Sequence, residues 1–250
     1  CLYFERLPWR IVQMRNLKAI YIKEMRSYFD SPMAYIFLVI FTLINGYFFT
    51  RTFFLFNQSD MRSLFNIIPL VYIFFIPAVT MSLIARENNL GTMELISTLP
   101  LKDMDFVLGK FLAALSLILI GLLITLIHFF TLTQVGTNID YGAVFTGYLG
   151  LALAGAVYSS VGIFASSLTD NQVVAFIIGI FIVIILFLMD KMLMFVPISL
   201  TGLIQFLSVD YHLSNISRGV IDSRNLIYFS SVVGFFLFMT VRVLEIRKWS

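Results

Sequence analysis

Long apolar runs, separated only by short polar stretches, leave this chain of 250 residues few folds to choose from. A helix that crosses a bilayer needs about 20 consecutive apolar residues, since it rises ~1.5 Å per residue through a hydrocarbon layer about 30 Å thick. Six segments fit that requirement: roughly 33–50, 67–83, 106–130, 143–165, 172–189 and 226–244. Lipid offers no hydrogen-bond partners, so each run must satisfy its own backbone as a helix. Barrel strands alternate apolar and polar residues, and these runs do not. Only 12% of the residues are charged, against about a quarter in soluble domains, too few to cover a globule. The expected fold is therefore an all-α integral membrane protein with six transmembrane helices.

Lysines and arginines set its orientation. Arg6, Arg10, Arg15, Lys18, Lys23 and Arg26 precede the first run. Arg86, Lys102 and Lys110 flank the loop after the second, and Arg242, Arg247 and Lys248 follow the last. The opposite side holds only Arg51, Arg62, Lys191, Arg218 and Arg224. The positive-inside rule then places both termini and the 86–102 loop in the cytoplasm. A net charge of +3 is too small to suggest nucleic acid. The one cysteine, Cys1, excludes an intrachain disulfide. Residues 1–13 read as an N-terminal extension without structure of its own, and residues 14–250 as the membrane domain.

Around these spans lie several smaller features. In 17–29, Leu17, Ile20, Tyr21, Met25, Tyr28 and Phe29 share one helical face while Lys18, Lys23 and Arg26 fall away from it. A basic amphipathic helix of this kind lies along the headgroup boundary or packs on its own protein, and nearness to the first span favours the interfacial placement. Pro69 is expected in the first turn of the second span, and Pro77 predicts a kink. The connector 190–224 is apolar but interrupted by Pro197 and Gly202. Too short to cross twice, it is expected to dip back into the outer leaflet as a re-entrant segment. In the fourth span Gly150 and Ala154, and Gly155 and Ser159, stand four apart, a spacing that admits another helix backbone closely.

No catalytic constellation emerges. His128 and His212 lack metal-ligand spacing, no G-x-S-x-G elbow occurs, and Gly109-Lys110 is not part of a phosphate-binding loop. Metal ligands and catalytic residues are therefore expected to be absent, and a chain without a phosphate-binding loop is not expected to hydrolyse ATP itself. Asn45, His128, Asp190 and Lys191 are the polar groups in or at the spans. Asn45 is expected to hydrogen-bond between helices, and a coupling-ion site is not apparent.

The polar loop RENNLGTMELISTLPLK, 86–102, is more informative. Thr92 can cap the amides of a new helix, and Glu94 places negative charge in its first turn. Leu95, Ile96 and Leu99 give that helix an apolar face, and Pro100 ends it. The outcome would be a rigid bracket joined to two spans, or an amphipathic helix resting on the membrane.

Glu87, Gly91, Thr92, Glu94, Leu95, Ile96, Pro100 and Leu101 form a pattern that resembles the coupling-helix region of type 2 ABC-exporter permeases. The stretches ASSLTDNQVVAFI, 165–177, and SRGVIDSRNLIYFSS, 217–231, resemble the gliding-motility-associated permease F subunit. Asn88 and Asn89 depart from the pattern, since many relatives carry basic residues there. The resemblance implies docking of a partner through Arg86, Glu87, Gly91, Thr92, Met93, Glu94, Leu95, Ile96, Leu99 and Pro100. It implies two copies of an ATP-binding subunit and a second permease subunit, identical or related, that in the gliding group carries a large extracytoplasmic domain. A bacterial inner-membrane location follows. A membrane anchor that recruits an ATPase and a periplasmic partner, without a substrate path of its own, is the alternative.

Overall fold

Every apolar run becomes helix, as the unmet hydrogen bonds of a backbone in lipid require. A computed structural model describes residues 9–56, 61–93, 101–136, 139–195, 197–220 and 222–249. Ten α-helices are described: α1 (Trp9–Asp30), α2 (Pro32–Phe56), α3 (Arg62–Thr80), α4 (Ser82–Asn89), α5 (Asp103–Val135), α6 (Tyr141–Ser167), α7 (Gln172–Leu188), α8 (Ile198–Leu207), α9 (Val209–Ser217) and α10 (Ser223–Trp249). A 3-10 turn, Lys191–Phe195, follows α7. Five stretches are long and apolar enough to cross a membrane: Pro32–Phe53, Arg62–Asn89, Asp103–Val135, Tyr141–Ser167 and Ser223–Arg247. The expected fifth span, α7, is a shorter apolar helix of 17 residues.

Most helices outrun their apolar cores. α1 starts at Trp9, inside the expected extension and well before Leu17. Once nucleated, a helix propagates through residues that carry no breaker, and the sequence from Trp9 to Asn16 contains none. α3 begins at Arg62, so Pro69 is an interior residue of that helix and not a first-turn one. Its polar start, with Arg62, Ser63 and Asn66, lies before the apolar run that marks the span. Asn45 also differs from expectation: its amide nitrogen donates to the Phe41 carbonyl of its own helix, 2.7 Å away. Buried with 0% exposure, it donates one turn back within its own helix, while its Oδ1 has no hydrogen-bond partner among the described residues.

α6 is the hub, packing on α3, α5, α7, α9 and α10. Its membrane stretch is 72% buried, against 28% for α2 and 22% for α10. Small residues make this possible. A Cβ at Gly147 would collide with the Phe65 ring of α3, and one at Gly162 with the Thr80 hydroxyl at the end of α3. Gly150 faces Leu213 and Ile216 of α9, the nearest atom 2.8 Å from where its Cβ would be. Gly155 lies against Ile118 of α5 and Tyr72 of α3. Ala154 and Ser159 are fully buried on the same helix. Without a hydrophobic drive between helices in lipid, such close approach supplies the packing energy. The outward faces carry Val39, Leu43 and Tyr47 of α2, Leu123 and Ile127 of α5, and Phe181 of α7, all exposed as a lipid-facing surface requires.

Two contacts set the ends of the molecule. Arg247, near the end of α10, donates to Asp170 in the turn between α6 and α7 (2.6 Å). At the other end Lys191, just past α7, pairs with Asp210 of α9 (2.7 Å). There too the Tyr228 hydroxyl of α10 donates to the Leu207 carbonyl (2.6 Å).

Gly162→Ala should cost about 1–3 kcal/mol of stability through overpacking against Thr80, read as a lowered thermal midpoint in detergent. Adding Thr80→Ala should restore only part of it, since the Thr80 Cβ would still stand 2.9 Å from the new methyl.

Candidate functional site

The polar centre of the structure lies where α1, α4 and α5 meet. α1 packs on α5 through the face that carries Leu17, Ile20, Tyr21 and Met25. Gly109 is the reason the two approach so closely. Its missing Cβ would come 2.8 Å from Ile20 and 3.3 Å from the Leu17 carbonyl. Two hydroxyls fasten the helix further: Tyr21 donates to Ser116 of α5 (3.1 Å) and Tyr28 to the Val79 carbonyl of α3 (3.1 Å). Burial and the nearby Glu24 carboxylate push the Tyr28 phenol well above the ordinary tyrosine range, so it remains a donor.

This packing covers Lys110, the residue after Gly109, completely. A buried ammonium must be met by charge and hydrogen bonds. Lys110 Nζ donates to Glu24 Oε1 of α1 (2.8 Å) and to the Leu83 carbonyl of α4 (2.6 Å). It stands 2.9 Å from Glu87 Oε2 of α4 as an ion pair, and 4.7 Å from the Phe106 ring centre. Lys23 closes the group from the solvent side. Its ammonium lies 2.7 Å from Glu87 Oε1 and 3.4 Å from Glu24 Oε1. Burial alone would lower the Lys23 pKa; Glu87 and Glu24 outweigh it and hold it above the usual lysine value. Two cations and two anions thus balance within one cluster. In the sequence Lys23 reads as an orienting charge on the polar face of an amphipathic helix, Lys110 as an orienting charge after a glycine that belongs to no phosphate-binding loop, and Glu24 has no assigned role. Their one signal was Gly109-Lys110 itself: a small residue beside a charge, one turn inside a span.

A second device sits beside the cluster, at the joint between α3 and α4. The Ser166 hydroxyl of α6 accepts from the amides of Ile84 (3.0 Å) and Ala85 (2.9 Å). It donates to the Met81 carbonyl (2.8 Å). In an unbroken helix Ala85 N–H would bond Met81 directly. The serine stands in that gap, one helical turn after Gly162, which seats Thr80. An inserted side chain of this kind is a recognised cause of a break in a helix ladder. The stretch 165–177 was noted in the sequence without a role for Ser166.

Past the joint, α4 runs to Asn89. Gly91 adopts φ 65° and closes its end, a left-handed position glycine takes without strain. The Thr92 hydroxyl donates back to the Glu87 carbonyl (3.1 Å), so its side chain serves the last turn of α4. Arg86 is exposed, Glu87 buried at 9%, and Met93 partly buried against the core. Glu94, Leu95, Ile96, Leu99 and Pro100 lie outside the described residues. Asp103 and Asp105 stand in the first turn of α5, where the helix dipole favours them. A polar cleft of about 450 Å³ opens between α1 and α4, walled by Lys23, Glu24, Ser27, Ser82, Arg86 and Glu87.

The other expected positions fall elsewhere. Gly150, Ala154, Gly155 and Ser159 are buried along α6, away from this cluster. His128 of α5 stacks on Phe49 of α2, centroids 4.9 Å apart. His212 is buried between Asn225 and the Phe206 carbonyl. Among the described residues, no group of three His, Cys, Asp or Glu side chains could hold a metal. What the arrangement does physically is fix the positions of three helices. The loop 90–102 leaves from α4 and enters α5, and Lys110 ties those two to α1.

Residues 18–216 match the family described as ABC-2 family transporter protein, well over half of the chain. No curated protein matches it.

Lys110→Met should leave the carboxylates of Glu24 and Glu87 with only the exposed Lys23 between them and destabilise the protein by about 3–5 kcal/mol. The triple variant Lys110→Met, Glu24→Gln, Glu87→Gln should recover most of that loss in thermal unfolding. Ser166→Ala removes the partner of two amides and should cost about 1–3 kcal/mol.

Proposed function

The chain belongs to the ABC-2 family of transporter proteins, and on that premise we propose that it is the permease subunit of an ATP-driven exporter or mechanotransmitter, moved by a separate ATP-binding subunit. One observation carries the reading: the neutral cluster of Lys110, Glu24, Glu87 and Lys23, which binds both helices flanking the 90–102 loop to α1. A force on that loop is delivered to α4 and α5 together and through Lys110 to α1. The joint at Met81, bridged by the Ser166 hydroxyl, lets α4 change its angle to α3 by exchanging hydrogen bonds without losing them.

In this reading the segment from Thr92 to Leu99 serves as the coupling element that its sequence resembles. Nucleotide closes two motor subunits, the coupling helices follow their docking grooves, and the second and third spans tilt. Such coupling requires contacts that differ between open and closed motors. ATP and Mg are bound by the partner. A second permease, identical or related, completes the membrane part, and the stretches 165–177 and 217–231 suggest the gliding-type F subunit, whose partner carries a large extracytoplasmic domain.

We also take α7 as a sixth span. Its 17 residues reach roughly 26 Å at ~1.5 Å each, close to the hydrocarbon thickness. Supporting this, α7 leaves from the Asp170–Arg247 end and finishes at the Lys191–Asp210 end, as α10 does in reverse. α8 and α9 then form a re-entrant pair. α9 lies along α6, with Gly219 beside Ala143 near the start of that helix and Leu213 and Ile216 beside Gly150. With six spans both termini share a side, and the basic residues put that side in the cytoplasm of a bacterial inner membrane. α1, with Lys18 and Arg26 exposed, lies at the cytoplasmic boundary.

The double variant Glu94→Arg, Leu95→Asp should weaken association with the ATP-binding subunit by about 30-fold or more, as loss of a docking anchor does. Co-purification and permease-dependent ATP turnover measure it, and the chain's own melting curve should not move. Wild-type turnover and co-purification in that variant would place docking somewhere else.

A further inference from the structure

At the end of the molecule opposite the charge cluster, a cavity of about 390 Å³ opens between the close of α9 and the start of α10. Its walls include Arg218, Arg224, Asn215, Asn225 and Tyr211. One carboxylate, Asp222, also lines it, so the two arginines leave the cavity with a net positive charge. Asp222 accepts the Arg224 amide through Oδ1 (2.9 Å) and its carbonyl receives Asn225 and Leu226, which makes it the cap of α10. Asp210 is paired with Lys191. Neither arginine has a carboxylate partner among the described residues, and both are exposed. Basic residues are scarce on this side of the chain, yet two guanidinium groups converge on one cavity. Behind them the wall is firm: His212, 3% exposed, stacks on Tyr228 at 4.0 Å and meets Asn225 at 2.7 Å.

The rim is of the opposite character. Phe206 is 59% exposed and Val220 61%. Large apolar side chains next to unpaired guanidinium groups are out of place in water. They suit the boundary where acyl chains meet headgroups, with arginine stems lying along apolar surface and their forks turned to the polar layer. The arginine fork matches phosphate oxygens two at a time.

We propose that this cavity binds the phosphate of an anionic amphiphile in the leaflet opposite the charge cluster, with Arg218 and Arg224 gripping the headgroup and Phe206 and Val220 bordering its chains. The site stands independently of the motor reading, because it uses no residue of the 86–110 region.

The purified full chain in detergent is titrated with dihexanoyl phosphatidylglycerol, dihexanoyl phosphatidylcholine and inorganic phosphate. Phosphatidylglycerol should bind about tenfold more tightly than phosphatidylcholine, whose choline offsets the charge. Arg218→Gln with Arg224→Gln should abolish that preference, Arg218→Lys with Arg224→Lys should keep part of it, and Arg51→Gln should leave it intact. Displacement by inorganic phosphate would identify a free-anion site, and retention a lipid site; either upholds the phosphate chemistry. Equal binding of the two lipids would overturn the proposal. So would unchanged phosphatidylglycerol binding in the double glutamine variant, provided its melting curve matches the wild type.

Discussion

A single ammonium group that water cannot reach organises one end of this protein. Lys110 is fully enclosed, and a lone charge in such surroundings would cost several kcal/mol. The chain answers by bringing a carboxylate from α1, another from α4 and a backbone carbonyl from α4 to the same atom. Each of those partners is distant in sequence. The need to satisfy one charge therefore dictates where three helices stand relative to one another. Moving any of the three disturbs the balance for all, which is the property a force-transmitting joint needs.

The cluster works only because α6 holds α3 beside it. α6 is a helix of small residues onto which larger neighbours close: Phe65 over Gly147, Thr80 over Gly162, Leu213 over Gly150. The same face that permits close packing places Ser166 in the ladder between α3 and α4. Packing and polar satisfaction meet there. A rigid hub carries the one hydroxyl that relieves a break in its neighbour. α4 thus has two fixings, Ser166 near its start and Lys110 along its side.

How far the sequence could be read depended on the kind of signal. Unbroken apolar runs announced helices because lipid admits no other unpaired backbone, and five of those runs are spans by length and composition. α7 fell short by length, since its apolar run ends against Met189 and Asp190. Thr92 reads equally well as the first residue of one helix or a closure for the one before; its bond to the Glu87 carbonyl is a matter of where the chain turns at Gly91. Asn45 looked like a link between helices because an amide in lipid must find a partner, yet the Phe41 carbonyl was nearer.

Local chemistry therefore determined by itself that this chain is helical, membrane-embedded and packed through small residues. Each of those follows from properties that a stretch of chain carries alone: backbone hydrogen bonding, residue size and charge count. The tertiary structure alone decided that Lys110, Lys23, Glu24 and Glu87 form one neutral cluster, that Ser166 splints the joint at Met81, and that Arg218 and Arg224 share a cavity. The cluster and the splint are meetings between residues far apart in sequence, and the cavity forms only where the start of α10 packs against α9. A pairing energy exists only once two helices are side by side, and the pattern within either helix does not encode it.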